Sequence, residues 1–234
     1  MDSASIRSTP RLPFILAIGL ACGAAQAQER GIEEVSVVGR QLNLIGSATS
    51  ASEGKISQQE LDSRPLLRVG EVLETVPGLV ATQHSGSCKA NQFFLRGFNL
   101  DHGTDFATHV DGMPVNMRSH GHGQGYTDLN FLIPELVGSI EFTKGSYDAA
   151  SGDFAGAGSA HINVASRPVD TRLSFGGGNF GFRRALFTGS ADAAGGTFIY
   201  GVEQQDYAGA WDSIDEDVDR KKPVAQAELG HRRV

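Results

Sequence analysis

The sequence predicts an α+β domain followed by a run of antiparallel β-strands. Two observations carry this prediction. Up to residue 166, short helical patterns alternate with short strands, and from residue 171 onward strand-like segments follow one another with only turns or loops between them. The composition agrees, because 40% hydrophobic residues can form a core and 30 glycines favour turns and β-structure over long helices.

Residues 1–27 have the features of a secretory signal peptide. Two arginines precede an apolar run at 12–25, which is too short for a comfortable membrane span, and the run ends in the cleavage pattern Ala-Gln-Ala. A lipoprotein signal that ends before Cys22 is the alternative. We expect the mature chain to begin at Gln28.

Residues 28–54 are polar and rich in Gly, Ser and Ala, which is typical of a mobile arm. One short β-like run, from Val35 to Val38, interrupts this composition. The arm is therefore predicted to contain a single segment able to adopt an extended conformation.

Residues 55–166 are predicted to form the compact α+β domain. Ser57 and Glu60 have the spacing of a capping box, which opens a short helix. A second helix is indicated by four apolar residues at i, i+3, i+4 and i+7: Val69, Val72, Leu73 and Val76. Short strands are predicted at 79–82, 92–96, 108–110, 139–143 and 161–165, with a tight turn at Asp111-Gly112.

Residues 167–234 are predicted to contain four strands, at 172–175, 184–191, 197–207 and 223–230. In the third strand, one face carries Phe198, Tyr200 and Val202. The opposite face carries Thr197, Gly201 and Glu203, with Ile199 as an apolar exception. This alternation fits a membrane β-barrel strand and equally a soluble antiparallel sheet, so this segment alone leaves both open.

Five phrases, in order, resemble the plug domain of TonB-dependent outer-membrane receptors. They are Gly-Glu-Val-Leu-Glu-Thr-Val-Pro-Gly-Leu (70–79), Phe-Leu-Arg-Gly-Phe (94–98), Val-Asp-Gly-Met-Pro-Val (110–115), Ser-Ile-Glu-Phe-Thr-Lys-Gly (139–145) and Gly-Ser-Ala-His-Ile-Asn-Val (158–164). The resemblance covers about residues 33–166 and departs at Ser146, where the family usually has proline. It implies an α+β plug domain followed by the first antiparallel strands of a 22-stranded transmembrane β-barrel, which this chain would contain only in part.

The resemblance also implies a function. Such receptors take up a scarce nutrient across the outer membrane, most commonly a ferric siderophore, with haem, cobalamin and other metal chelates left open. The implied partners are TonB with its inner-membrane energising complex, the ligand and outer-membrane lipid, with the plug and arm facing the periplasm. A truncated, freestanding periplasmic plug-like binding module without transport activity is the alternative.

The resemblance further implies that the β-like run in the arm is the TonB box, formed by Glu33, Glu34, Val35, Ser36, Val37 and Val38. An extended segment on a loose arm can add as a strand to the sheet of a partner protein. An edge strand of the plug is the alternative interpretation of the same run.

Histidines are concentrated between residues 102 and 122. His120 and His122 flank a glycine in a Gly-rich loop, and imidazole is a common ligand of borderline metals. We predict that these two residues bind a metal or metal chelate, with His102, His109 or a barrel loop completing the shell. Gln83 and His84 form a second predicted ligand-binding pair. A solvated loop is the alternative.

The remaining patterns argue against an enzyme and against nucleic-acid binding. The formal net charge of −7 offers no general basic face for phosphates. The Gly-x-Gly-x-x-Gly match at 176–181 precedes a strand rather than a helix and is predicted to be a turn. No catalytic constellation or resident cofactor is predicted. Arg96 and Asp111 are predicted to be buried charges with structural partners.

Overall fold

The computed structural model describes residues 52–84, 87, 89–165, 169–193, 196–211, 213 and 216–229. The predicted signal peptide, the predicted TonB box, most of the predicted arm and Cys88 lie outside the described residues. Within the described part of the chain, no helix is long and apolar enough to span a membrane.

The α+β domain extends from Glu53 to Val164. Its elements are β1 (Glu53–Ser57), α1 (Gln58–Asp62), α2 (Glu71–Glu74), β2 (Leu79–Thr82), β3 (Gln92–Leu95), β4 (Phe98–Asn99), β5 (Phe106–Val110), β6 (Met113–Pro114), a 3-10 turn (Pro134–Leu136), β7 (Val137–Lys144), a second 3-10 turn (Ala149–Ser151) and β8 (Gly158–Val164). Strand β1 begins at Glu53, inside the segment predicted to be the arm.

Two sheets form the domain. The larger has the order β1-β7-β8-β5-β6, in which β5 and β8 are parallel and the other neighbours are antiparallel. The smaller is the antiparallel sheet β2-β3-β4. The hydrophobic core of the domain joins side chains of both sheets to those of α2, among them Ile56, Leu73, Phe93, Phe106 and Ile140.

The helices follow the sequence prediction with one difference in length. The Ser57 hydroxyl accepts a hydrogen bond from the Glu60 backbone N–H at 3.4 Å and caps α1 as predicted. The predicted apolar face of the second helix is buried, but only Glu71–Glu74 is α-helical. Val69 and Val76 lie outside it on either side, and Pro77 and Gly78 form a turn directly after Val76 that prevents the helix from continuing.

The prediction that Arg96 and Asp111 are buried is wrong. Both side chains are exposed, and both residues occupy turns with positive φ, 50° and 48°, each followed by a glycine. The Asp111 carboxylate accepts a hydrogen bond from the Val164 backbone N–H at 2.9 Å. The Arg-Gly and Asp-Gly pairs therefore specify turns at the strand ends, and the strand that contains Phe94 ends at Leu95.

The second part of the described chain is one antiparallel sheet of four strands. These are β9 (Arg172–Gly177), β10 (Arg183–Ala193), β11 (Gly196–Tyr207) and β12 (Val218–Leu229), and the sheet order is β12-β11-β10-β9. Strand β12 begins at Val218 rather than at the predicted Pro223. Its first residues are mostly charged, so the sequence shows no strand-like hydrophobic pattern there, but each of them pairs with β11.

The two faces of β11 meet different surroundings, as the alternation predicts. Phe198 and Val202 are exposed on one face, whereas Ile199 and Glu203 are 1% and 2% exposed on the other. Ile199 packs in a second hydrophobic cluster with residues of the α+β domain, including Ile133 and Leu136. The apolar exception in the sequence is thus the contact point between sheet and domain.

Four charged side chains hold the sheet against the domain. Glu135, in the first 3-10 turn, receives two hydrogen bonds from the Arg184 guanidinium, at 2.6 and 2.9 Å. Arg184 also donates to Glu203, and the Lys222 ammonium lies 2.7 Å from the other Glu203 oxygen. Two positive and two negative charges therefore balance one another across three adjacent strands and the domain.

The charge network is largely buried, so each of its charges depends on the opposite charge beside it. Lys222 is 8% exposed, and its ammonium also donates to the Leu132 carbonyl oxygen of the domain at 3.0 Å. Burial alone would raise the pKa of Glu135, but the hydrogen bonds and charge of Arg184 hold that pKa below its ordinary value. Glu135 is therefore ionised, as the pairing requires.

Replacing Glu203 with glutamine tests the network. Glu203→Gln leaves Arg184 and Lys222 with only one buried negative partner, so we expect a loss of about 3 kcal/mol in the free energy of unfolding. The measurement is thermal unfolding of the purified protein. The control is Glu141→Gln, which breaks an exposed pair with Lys55 and should cost less than about 1 kcal/mol. Equal losses in the two variants would contradict a structural role for the network.

Candidate functional site

Four of the predicted histidines come together around one tyrosine. The ring of His102 lies 4.9 Å from that of His84, 4.4 Å from that of His122 and 5.4 Å from that of Tyr126, measured between centroids. The ring of His120 stacks on Tyr126 at 4.0 Å. We call His84, His102, His120, His122 and Tyr126 the histidine cluster.

His102 is the fixed member of the cluster. Its side chain is 3% exposed, and its Nδ1 lies 2.8 Å from the carbonyl oxygen of Ala90. A carbonyl can only accept, so Nδ1 carries a hydrogen, and Nε2 is the nitrogen that can offer a lone pair when the ring is neutral. The neighbouring Leu100 is fully buried and anchors the turn that presents this ring.

Asp101 and His122 approach His102 from the exposed side. The Nε2 atom of His102 lies 3.8 Å from one Asp101 carboxylate oxygen, and the Nε2 atom of His122 lies 3.5 Å from the other. One ligand atom from each of these three residues lies within 4.8 Å of the other two. Among the described residues, Asp101, His102 and His122 thus form a group whose ligand atoms are close enough together to hold one metal ion.

His120 has a different position from the one predicted beside His122. Its Nδ1 accepts a hydrogen bond from the His122 backbone N–H at 3.2 Å, and its ring packs flat on Tyr126. The Tyr126 hydroxyl accepts in turn from the Ala90 backbone N–H at 2.8 Å. His120 therefore shapes the loop and lies outside the group of convergent ligand atoms formed by Asp101, His102 and His122.

A single buried amide joins the two segments that carry the site. The Asn116 side chain donates to the carbonyl oxygens of Gly103, Phe106 and Gly125, at 2.9, 3.1 and 3.2 Å. Its oxygen accepts from the Thr108 backbone N–H at 2.7 Å. The turn after His102 and the end of the histidine loop are therefore held to the same side chain.

His109 does not belong to the cluster. It lies on β5, where its ring stacks on that of His161 at 4.5 Å. Burial and the neighbouring His161 lower the pKa of His109, so its ring is neutral at neutral pH. This position is set by the parallel pairing of β5 with β8, which places the two histidines opposite each other.

Gln83 and His84 line a cavity of about 500 Å³ between the domain and the four-stranded sheet. The sheet side contributes Trp211 and Lys222, among others. Because the rings of His84 and His102 are neighbours, the cavity and the histidine cluster are adjacent. The two candidate sites of the sequence therefore form one continuous region.

Sequence reasoning missed two members of this region. Asp101 directly precedes His102, and an Asp-His pair close to a His-x-His loop was a usable signal for it. Tyr126 had no such signal, because its role depends on the short antiparallel pairing of Met117 with Tyr126 that closes the histidine loop.

Comparisons with known proteins agree with this architecture. Residues 46–159 match the sequence model of the TonB-dependent Receptor Plug Domain. The structure is similar to the siderophore receptor PirA from Pseudomonas aeruginosa, with a TM-score of 0.53, 20% identity, and coverage of 80% of this chain and 34% of that one. It is also similar to PirA from Acinetobacter baumannii, with a TM-score of 0.51, 21% identity, and coverage of 68% and 25%.

A third similar structure is the copper transporter OprC, with a TM-score of 0.50, 17% identity, and coverage of 68% of this chain and 24% of that one. The chain thus spans between a quarter and about a third of the length of these solved structures. At these identities the likeness concerns the fold, in which a plug domain precedes barrel strands. Residues 46–159 therefore belong to the TonB-dependent receptor plug family, and the described chain has the fold of that plug followed by antiparallel strands of its barrel.

Proposed function

We propose that this chain is the plug and first barrel strands of an outer-membrane receptor that uses TonB to take up a scarce metal-bearing nutrient. The observation that carries the proposal is a plug domain that presents a histidine cluster beside a cavity at the sheet. In this role the protein is a transporter and not an enzyme.

The outer surface of the sheet supports a position in a membrane. Large apolar side chains project from strands β9 to β11 on the face away from the plug: Leu173, Phe175, Phe187, Phe198 and Val202. Exposed side chains of this kind, alternating with inward polar residues, suit contact with lipid. The polar and charged residues Arg184, Glu203 and Lys222 point the other way, toward the plug.

The lengths of the connections support an outward-facing cluster. Strands β10 and β11 are joined through residues 194–195, whereas residues 178–182 and 208–217 join the other two pairs. In outer-membrane barrels the short turns face the periplasm and the longer loops face outward. Ser87, near His84, donates two hydrogen bonds of 3.0 Å to Glu216 in one of the longer connections. These contacts support our proposal that the cavity and His84 lie at the outer end.

The histidine cluster and the names of the similar structures support the proposed substrate class. Those structures include two siderophore receptors and a copper transporter, and each of these names refers to a metal or to a metal-binding compound. We propose a ferric siderophore or another metal chelate as the nutrient, contacted by Gln83, His84, His102, His120 and His122. The TonB box is proposed at residues 33–38, which would add as a strand to the sheet of TonB.

Uptake with and without TonB tests the proposal. Cells that express the gene encoding this chain should accumulate radiolabelled iron or copper under metal limitation, and deletion of TonB should abolish the gain. Cells without the gene are the control. Uptake that persists in full without TonB, or no uptake of either metal, would rule out the proposed function and favour a binding module without transport.

Val35→Pro tests the proposed TonB box. Proline removes a backbone donor and fixes φ, so pairing with the TonB sheet should fail. We expect uptake to fall to the level of cells that lack TonB, while the amount of receptor and its ligand binding stay unchanged. The matched control is Gln41→Pro, in the same arm but outside the box. Wild-type uptake in the Val35→Pro variant would show that the box lies elsewhere.

A further inference from the structure

We propose that Asp101, His102 and His122 form a site for an uncomplexed divalent transition-metal ion, with Cu²⁺ bound most tightly. The role of this ion as transported cargo rests on the proposed TonB-dependent uptake and takes the metal-bearing nutrient to be the ion itself rather than a chelate, but the binding of the ion does not depend on that role. The site differs from the pair predicted from the sequence, because Asp101 and His102 replace His120 as the partners of His122.

The first argument is the set of donor atoms. Two imidazole nitrogens and one carboxylate oxygen converge within 4.8 Å. Imidazole favours copper, zinc, nickel and iron over magnesium and calcium, and among divalent first-row ions affinity for such donors peaks at copper. The carboxylate supplies a negative charge opposite the cation. The donor chemistry therefore selects a divalent transition metal.

The second argument is that one ligand is already oriented. The Nδ1–H of His102 donates to the Ala90 carbonyl oxygen at 2.8 Å, which fixes the ring and directs the Nε2 lone pair toward Asp101. Metal-binding histidines commonly use their second nitrogen in this way.

The third argument is the distance between ligand atoms. Two ligands about 2.0–2.1 Å from an ion lie about 2.9 Å apart at the right angle that Cu²⁺ prefers and about 3.3 Å apart at the tetrahedral angle of Zn²⁺. The present separations of 3.5 and 3.8 Å to the Asp101 oxygens are slightly longer than both values. The side chains of Asp101 and His122 are about half exposed, at 52% and 45%, so small rotations of these two can close the shell around the fixed His102.

The fourth argument concerns the state of the metal. Three protein ligands leave further coordination positions to water or to His84, whose ring adjoins that of His102. An ion that arrives hydrated can exchange its waters for these ligands. A ferric ion already enclosed by the oxygens of a siderophore offers no free position to an imidazole. The geometry therefore fits a hydrated ion better than a complete chelate.

Calorimetric titration of the untagged receptor in detergent with CuCl₂ and ZnCl₂ tests the site. Asp101→Asn removes the charge, and asparagine tolerates the positive φ of 46° at this position. His122→Ala removes one exposed imidazole. We expect each change to weaken Cu²⁺ binding at least about tenfold. The matched control, His120→Ala, removes an imidazole two residues away and should change the affinity less than about threefold, because His120 lies outside the ligand group.

Paramagnetic resonance of the wild-type protein with one equivalent of Cu²⁺ gives a second measurement that needs no variant. We expect hyperfine coupling of the Cu²⁺ electron spin to two imidazole nitrogens. In His122→Ala the coupling should be to one imidazole nitrogen. A spectrum without nitrogen coupling would overturn the proposal, as would equal Cu²⁺ affinity in wild type and His122→Ala, or an equal loss in His120→Ala. The proposal would also be overturned if the receptor bound ferric enterobactin and did not bind Cu²⁺.

The uptake measurement separates this inference from the proposed function. Cu²⁺ binding at the three residues without TonB-dependent uptake would support the site and defeat the transporter. TonB-dependent copper uptake that survives Asp101→Asn and His122→Ala would support the transporter and defeat the role of this site in carrying the cargo, whereas the titration decides whether the site binds the ion.

Discussion

The burial of Glu203 between two cations is the constraint on which the union of plug and sheet depends. Arg184, Glu203 and Lys222 come from three adjacent strands, and Glu135 of the plug completes the balance. A shift of one residue in strand register would turn Glu203 toward the apolar outer face and leave both cations without it. Because an unpaired buried charge is costly, the network fixes the register as well as the contact.

Asn116 has the corresponding role inside the plug. Its amide makes four hydrogen bonds to backbone groups on both sides of the histidine region, so the loop that carries His122 cannot move independently of the turn that carries His102. A buried side chain with all its donors and acceptors paired favours one arrangement over others. The loop itself is exposed and polar, so this amide and the pairing of Met117 with Tyr126 hold its ends in place of a local core.

The site combines one rigid ligand with two exposed ones, which suits capture followed by release. His102 is held by the backbone, whereas Asp101 and His122 approach it from the solvent side and would reach a bound ion from there. A closed four-ligand shell would retain the metal, while an open set of three leaves positions through which it can be exchanged. The adjoining cavity, lined by Gln83 and His84, would provide space for exchange at the proposed site.

The sequence by itself determined the α+β domain, the positions of most strands, the two-faced pattern of β11 and the concentration of histidines, because these depend on local periodicity and turn chemistry. It misplaced Arg96 and Asp111, whose following glycines create left-handed turns, and it began β12 late. Only the tertiary structure decided that Ile199 meets the plug, that Arg184 pairs with Glu135, and that His122 faces Asp101 rather than acting with His120. Each of these depends on the approach of segments distant in the chain, which spacing along one segment does not encode.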